Sequence, residues 1–245
     1  MRIVVAGPND ATFPLPAGNH DCPRSKQAPY RKAVVNVHTG EQYHEFMLAS
    51  KRDRQVRGRF QEMALDFLPP GADMLDFGAG TGIDAKLYAA RGHLTFVYEP
   101  SQAMRDCLAR YCRDEIACNT VIPVTRPLTR KVHAITANFA VLNHILDHRL
   151  LFEEFSSVVG RGGFFLASML SPLYLGDARY RWWWANMPKL ARSGRYPSPG
   201  ESRIHRFAPS AMTRSAAPYF RLERLTPRGS GLATHLYMFL LFRRV

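Results

Sequence analysis

The chain has no run of about 18 apolar residues, the length that a bilayer-spanning helix takes. Its start, Met1 to Gly7, carries an apolar stretch too short for the hydrophobic region of a secretory signal. These two absences predict a cytoplasmic chain with no membrane partner. Cysteine is scarce, with four in 245 residues: Cys22, Cys107, Cys112 and Cys118. None forms a Cys-x-x-Cys pair, which removes the zinc-ribbon pattern, and free thiols are expected in a reducing compartment. Acidic residues are also few, 20 against 33 Lys and Arg. Residues 171 to 245 hold 13 Arg or Lys and three acids (Asp177, Glu201 and Glu223), a balance of +10 out of the chain's +13. Such a bias suits nucleic acid, an acidic carrier protein or an anionic small substrate, and equally a plain solvated basic face. Internal repeats and low-complexity tracts are absent too.

What the chain does have is an apolar fraction of 46%, enough to fill a large core. Its length predicts one main domain. Residues 1 to 40, rich in Pro, Gly and short polar residues, read as a partly irregular N-terminal arm with strand-like pieces at Met1–Ala6 and Ala33–Val37. Residues 41 to 68 read as helical, because Tyr43, Phe46 and Met47, then Val56, Phe60, Met63, Ala64 and Phe67, recur at helical spacing. Pro69-Pro70-Gly71 stops the second of these helices.

Strands and helices then alternate. Strands are expected at Met74–Phe77, Leu94–Tyr98, Thr120–Val124, His133–Phe139 and Gly163–Met169. Helices are expected at Asp84–Arg91, Ser101–Arg113 with Ser101 as N-cap, and Leu150–Val159, ended by Gly160. This rhythm predicts a parallel sheet with helices on both faces and right-handed crossovers. Residues 171 to 208 break it with Trp182-Trp183-Trp184, prolines and arginines. A helix at Pro209–Ala217 and strands at Phe220–Thr226 and His235–Phe242 follow.

The most informative run is Met74-Leu-Asp-Phe-Gly-Ala-Gly-Thr-Gly-Ile-Asp84. An apolar strand ends in an acid, three glycines alternate as Gly78-x-Gly80-x-Gly82, and a helix begins. Glycines let the chain turn sharply and a ligand come close, and the free N–H groups of the first helical turn face that ligand. The spacing is not the dinucleotide Gly-x-Gly-x-x-Gly, and no Gly-Lys-Ser/Thr closes a P-loop. The pattern resembles motif I of the class I S-adenosylmethionine-dependent methyltransferases. Glu99 stands at the end of the next strand, 17 residues after Gly82, and Glu99-Pro-Ser-x-x-Met104 resembles the family's Asp-x-Ser-x-x-Met signature.

The resemblance implies a Rossmann-like, seven-stranded, mostly parallel sheet whose last strand runs antiparallel. Residues 41 to 245 would form this domain, with 171 to 208 as a helical lid inserted after strand five. It implies S-adenosyl-L-methionine as cofactor and S-adenosyl-L-homocysteine as product. Asp76 would serve the amino-acid end of the cofactor, with Gly78, Ala79, Gly80 and Gly82 turning beneath it. Glu99 would accept both ribose hydroxyls, Pro100 would follow at the site, and Met104 would pack on adenine or else in the helix core. Tyr43 lies where relatives cover the cofactor with an aromatic ring, and Arg57 or Arg59 could meet the cofactor carboxylate. Many relatives carry an acid after strand three for the adenine amine. The stretch Cys118-Asn-Thr-Val-Ile-Pro-Val-Thr has none, which leaves Asn119, Thr120 or a backbone group.

After strand four stands Ala137-Asn-Phe-Ala-Val-Leu-Asn-His144, similar to the Asn-Phe-Gly-x-Leu-Asn segment of a small-molecule branch of the family. It puts Asn138 and Phe139 at the cofactor and Asn143 toward the acceptor. The Asn/Asp-Pro-Pro-Tyr/Phe segment of amino-methyltransferases acting on nucleic acids is missing. His144 is the candidate that takes or guides an acceptor proton, or else it caps a helix. His144, Asp147 and His148 would share one helical face, as in metal-binding helices, but no third ligand is evident and no metal is expected. Tyr180 and Trp183 are the candidate aromatic walls of the acceptor pocket. The expected function is methyl transfer to an oxygen of a small aromatic or acyl metabolite in secondary metabolism, the acceptor being anionic or carrier-bound. Two alternatives stay open: an RNA methyltransferase, favoured by the basic last third, and a cofactor-binding protein without catalysis.

Overall fold

The structure, a computed structural model, describes residues 39 to 125, 130 to 199 and 204 to 245. The expected arm, with its strand-like pieces at Met1–Ala6 and Ala33–Val37, lies outside the described residues, as does Cys22. Two helices open the described chain, α1 (Gly40–Ala49) and α2 (Lys51–Phe67). Thr39 caps α1 by accepting from Gln42 N at 3.2 Å, and Ser50 ends α1 and caps α2 by accepting from Asp53 N at 3.2 Å. A hydroxyl here satisfies an amide that the helix leaves without a partner, so one serine breaks the helical stretch in two.

The alternating region gives β1 (Met74–Phe77), α3 (Ile83–Ala90), β2 (Thr95–Tyr98), α4 (Gln102–Tyr111), α5 (Arg113–Ala117), β3 (Val121–Val124) and β4 (Val132–Ala137). A 3-10 turn (Val141–His144) leads to α6 (His148–Val158) and β5 (Val159–Leu170). After a second 3-10 turn (Leu175–Asp177) come α7 (Arg181–Ser193), β6 (Arg195–Pro197), β7 (His205–Phe207), α8 (Pro209–Ala216), β8 (Phe220–Thr226), α9 (Gly231–Thr234) and β9 (Tyr237–Arg244).

Seven strands form one sheet in the order β3-β2-β1-β4-β5-β9-β8, and β6 pairs with β7 in a separate hairpin. All neighbours up to β5 are parallel, and β9 runs antiparallel between β5 and β8. This is the expected Rossmann-like architecture with a reversed last strand. Side chains alternate along β5. Phe165 and Ala167 face α6 and α8, while Phe164 and Leu166 face the layer of Phe60, Ala64 and Tyr88. A central strand covered on both faces reads as a continuous apolar run, which is why Phe164 to Ala167 carries no polar residue. The first face is dense in aromatics, with Phe152–Phe242 and Phe155–Phe165 edge to face at 5.0 Å. Among the described residues, no helix is long and apolar enough to cross a membrane.

Some local expectations are corrected. Gly160 does not end a helix: α6 stops at Val158, and the chain passes straight into β5, which holds Gly160 inside it. Ser101 occupies the N-cap position of α4 but makes no side-chain capping bond, and the helix divides at Cys112. His144 and His148 do not share a helical face. His144 ends the 3-10 turn, Asp147 caps α6 by accepting from Leu150 N at 3.0 Å, and His148 begins α6.

Candidate cofactor and acceptor site

Parallel strands deliver their loops to one edge of the sheet, where ligands bind in folds of this kind. The glycine turn follows β1, Glu99 follows β2 and Asn138 follows β4, so all three meet at that edge. The turn lies in left-handed backbone at φ +75° for Gly78 and +56° for Gly80. The two glycines are needed for different reasons. A Cβ on Gly78 would strike Val141 at 2.6 Å, because the loop after β4 packs against it. A Cβ on Gly80 would meet only Tyr43 Cε1 at 4.0 Å, so that face opens onto space roofed by a tyrosine.

Glu99 closes the second side. One carboxylate oxygen accepts from Gly80 N and the other from Ser101 N, each at 2.8 Å. The carboxylate is therefore aimed at the glycine turn and keeps acceptor capacity on both oxygens. Burial raises its pKa, partly offset by those two amides. Arg105 reinforces the corner by donating to the Glu99 and Pro100 carbonyls at 2.7 and 2.6 Å. Met104 lies half-buried on the first turns of α4.

The third side is a buried polar network. Asp76 is 2% exposed; one oxygen accepts from Thr136 Oγ1 at 3.2 Å, and Oδ2 is buried with no hydrogen-bond partner. Burial and the adjacent Asp84 push its pKa well above the usual carboxylate range. Asp84, on the first turn of α3, receives Arg57 at 2.5 Å, Gln61 Nε2 at 2.6 Å and Asn138 Nδ2 at 3.1 Å. Burial pulls the Arg57 pKa down, but Asp84 outweighs it and the net shift is upward. The Arg57 guanidinium also lies 4.6 Å from the centre of the Phe139 ring. Phe139 is held at φ +51° beside Asn138, whose Oδ1 accepts the Phe139 amide at 2.9 Å. Non-glycine residues seldom adopt that backbone, and such strain gathers at functional loops. Tyr43 is roofed in by burial, which drives its phenol up to about 12 and keeps it protonated. The neighbouring His44 ties α1 to the turn through Thr81 Oγ1 at 2.9 Å.

The structure thus brings together Tyr43, Asp76, Gly78, Ala79, Gly80, Gly82, Glu99, Pro100, Asn138 and Phe139. Of the two arginines considered, Arg57 enters the network and Arg59 is exposed. Asn119 and Thr120 are a correction. They precede β3, with Asn119 exposed at φ +56°, and so lie at the amino end of the sheet, opposite the glycine turn. The position equivalent to the adenine loop begins at Thr125, and 126 to 129 lie outside the described residues. Gln61, Asp84 and Thr136 were not singled out as site residues. They are scattered over two helices and a strand, and only the fold brings them together.

On the acceptor side, His144 is exposed at the end of the 3-10 turn after β4. Desolvation by the surrounding protein lowers its imidazole pKa, which favours the neutral ring. Asn143 is fully buried, and its amide is committed to the backbone: Nδ2 donates to the His205 carbonyl at 2.6 Å and Oδ1 accepts from Leu170 N at 3.1 Å. It acts as a tie between β5 and β7 from within the protein. The three tryptophans part company as consecutive helical residues must. Trp183 is 5% exposed with its indole N–H unpartnered, Trp182 faces Tyr196, and Trp184 is 60% exposed. Tyr180 stacks near Trp182 with its hydroxyl buried and unpartnered. Arg206 anchors the segment. It pairs with buried Asp177 at 2.7 Å and donates to the Ser171 carbonyl at 2.6 Å and to Ser198 at 3.2 Å.

A doubly covered sheet with a reversed last strand, and an acid–glycine turn facing a second acid across it, define a Rossmann-like nucleoside-cofactor protein of the methyltransferase type. The chain belongs to the methyltransferase-domain family, whose model matches residues 48 to 209, and S-adenosylmethionine is the cofactor of that class. No curated protein matches the chain in sequence. Solved structures share the fold at low identity. A methyltransferase from Clostridium acetobutylicum is 13% identical, with TM-score 0.61 over 83% of this chain and 98% of its own. Geranyl diphosphate C-methyltransferase from Streptomyces coelicolor is 15% identical, with TM-score 0.58 over 78% of this chain and 80% of its own. The glycopeptide N-methyltransferase MtfA is 15% identical, with TM-score 0.56 over 77% and 90%.

Proposed function

We propose that the chain methylates an oxygen of a small aromatic or acyl metabolite in a secondary pathway, with His144 taking the acceptor proton. The observation that carries the cofactor half is the buried, unpartnered Asp76 Oδ2 beside the open face of Gly80 and the Glu99 carboxylate. A buried acceptor without a partner costs about 1–3 kcal/mol, which a ligand donor would recover. Asp76 suits the cofactor ammonium, Arg57 its carboxylate and Glu99 its ribose hydroxyls, while Tyr43 excludes water from above. When bound, S-adenosylmethionine supplies an electrophilic methyl group on a sulfonium sulfur. The protein's own work is then to align the acceptor oxygen, exclude water and receive a proton. A neutral imidazole at His144 can accept that proton. The segment 171 to 208, carrying Tyr180 and Trp183, is the wall and lid of the acceptor pocket, braced by Asn143 and Arg206.

The direct test incubates the protein with S-adenosylmethionine and a panel of phenols and carboxylic acids and measures release of S-adenosylhomocysteine. Release with an oxygen acceptor, lost in His144→Ala while cofactor binding persists, is the expected result. Release only with RNA, or a product methylated on carbon or nitrogen, would overturn the oxygen assignment.

A further inference from the structure

Two open clefts of about 370 Å³ each adjoin at Ser193 and Arg195, which line both. Lys189 and Arg192 stand over one, and Arg149 and Arg214 over the other. These five cations come from α6, α7, β6 and α8, and none of them pairs with an acid among the described residues. Neither cleft has an acidic lining residue. Asp147 is near, but its carboxylate is engaged in capping α6. Between the cations lie apolar surfaces, namely Pro188 and Pro197 on one side and Leu146, 53% exposed, on the other.

We propose that these paired clefts dock an acidic protein helix, with carboxylates on the arginine rim and apolar side chains on the Leu146 and proline surfaces. A groove of mixed apolar and single-sign character fits an amphipathic helix of opposite charge. The chain's own material does not fit. Residues 1 to 38 carry five Lys or Arg against two Asp, and a second copy would bring another +13. Nucleic acid fits less well, because single strands are held by exposed rings on which bases stack. Of the four rings lining these clefts, Tyr196, Phe207 and His148 are each no more than 3% exposed and His205 is half-buried, so no ring stands free for a base to stack on. The second cleft begins two residues after His144, so a docked partner would sit beside the proposed acceptor turn. The proposal goes beyond the methyl-transfer reading and does not depend on it.

The test measures fluorescence anisotropy of a labelled helical peptide with Glu on one face and Leu on the other. It is added to the full chain, with a single-stranded RNA of equal charge as competitor. The peptide should bind at low salt and weaken as salt is raised. Arg192→Glu with Arg195→Glu should weaken it by at least about tenfold, and Arg192→Gln with Arg195→Gln by a smaller factor. S-adenosylhomocysteine binding, measured on the same samples, should stay unchanged and shows that each variant is folded. Equal peptide binding by wild type and both variants would overturn the proposal. So would RNA displacing the peptide at lower concentration than unlabelled peptide does. Loss of cofactor binding in wild type would instead count against the methyl-transfer reading, whatever the peptide does.

Discussion

Asp76 and Asp84 place two carboxyl groups in one buried network, and only Asp84 has cations and amides enough to hold its charge. The raised pKa of Asp76 means that the cofactor-free protein tends to keep a proton there. A cationic ligand group beside it favours the charged form and expels that proton. Cofactor binding below that raised pKa should therefore release protons. Titration calorimetry in buffers of different ionisation heat checks this, and Asp76→Asn should abolish the dependence on buffer. His148 offers a second residue-scale test. It is buried with Nε2 on the Leu142 carbonyl at 2.9 Å, and burial takes its pKa from 6.5 down to about 4. The unfolded chain binds this proton at higher pH than the folded chain does, so stability falls as pH drops from 6.5 toward 4. At about 1.4 kcal/mol per unit the loss reaches ~3 kcal/mol. Urea melts across that window should show it, and His148→Gln should flatten the slope.

Among the elements, the alternating strands and helices were legible because each carries its own periodicity and punctuation. Met74–Phe77 and the glycines after it are one local signal, and so is Pro69-Pro70-Gly71 after α2. What was not legible depends on tertiary pairing. Gly160 looked like a helix stop, yet pairing of Val159 and the residues after it with β4 carries the strand through it. Asn119 precedes even the strand expected at Thr120–Val124, and the parallel pairing of β3 with β2 puts it and Thr120 at the amino end of the sheet, away from the glycine turn. The hairpin of β6 and β7 has only three residues in each strand, too short for a pattern. Its brace, Arg206 on Asp177, spans 29 residues of sequence. Breaking one partner of a buried ion pair strands the other charge, at about 3–5 kcal/mol. Arg206→Met should cost that much in urea denaturation and reduce methyl transfer, while cofactor affinity changes little. Unchanged stability would show that the pair does not hold the segment.

For the whole molecule, the central claim is that three strand ends and a roofing tyrosine enclose one cofactor at the carboxyl edge of the sheet. The cradle was readable in part, since Asp76, Gly80 and Glu99 stand at the spacing of a strand–turn–helix–strand unit. Its supports were readable only in part: Arg57 and Asn138 could be placed at the cofactor, but their convergence with Gln61 on Asp84 joins α2, the loop after β4 and α3, which no local pattern links. The most direct measurement is calorimetric titration of S-adenosylhomocysteine into wild type, Glu99→Gln and Gly80→Val, with thermal melts to show that each is folded. Glu99→Gln keeps the side-chain size, removes the charge and leaves one of the Gly80 and Ser101 amides without its acceptor. Gly80→Val fills the open face and strains a left-handed position. Wild type should bind in the micromolar range, about −8 kcal/mol. Glu99→Gln should lose about 2 kcal/mol, and Gly80→Val should show no heat. Wild-type affinity in folded Gly80→Val would contradict the account, because the cofactor would then lie somewhere other than against this turn.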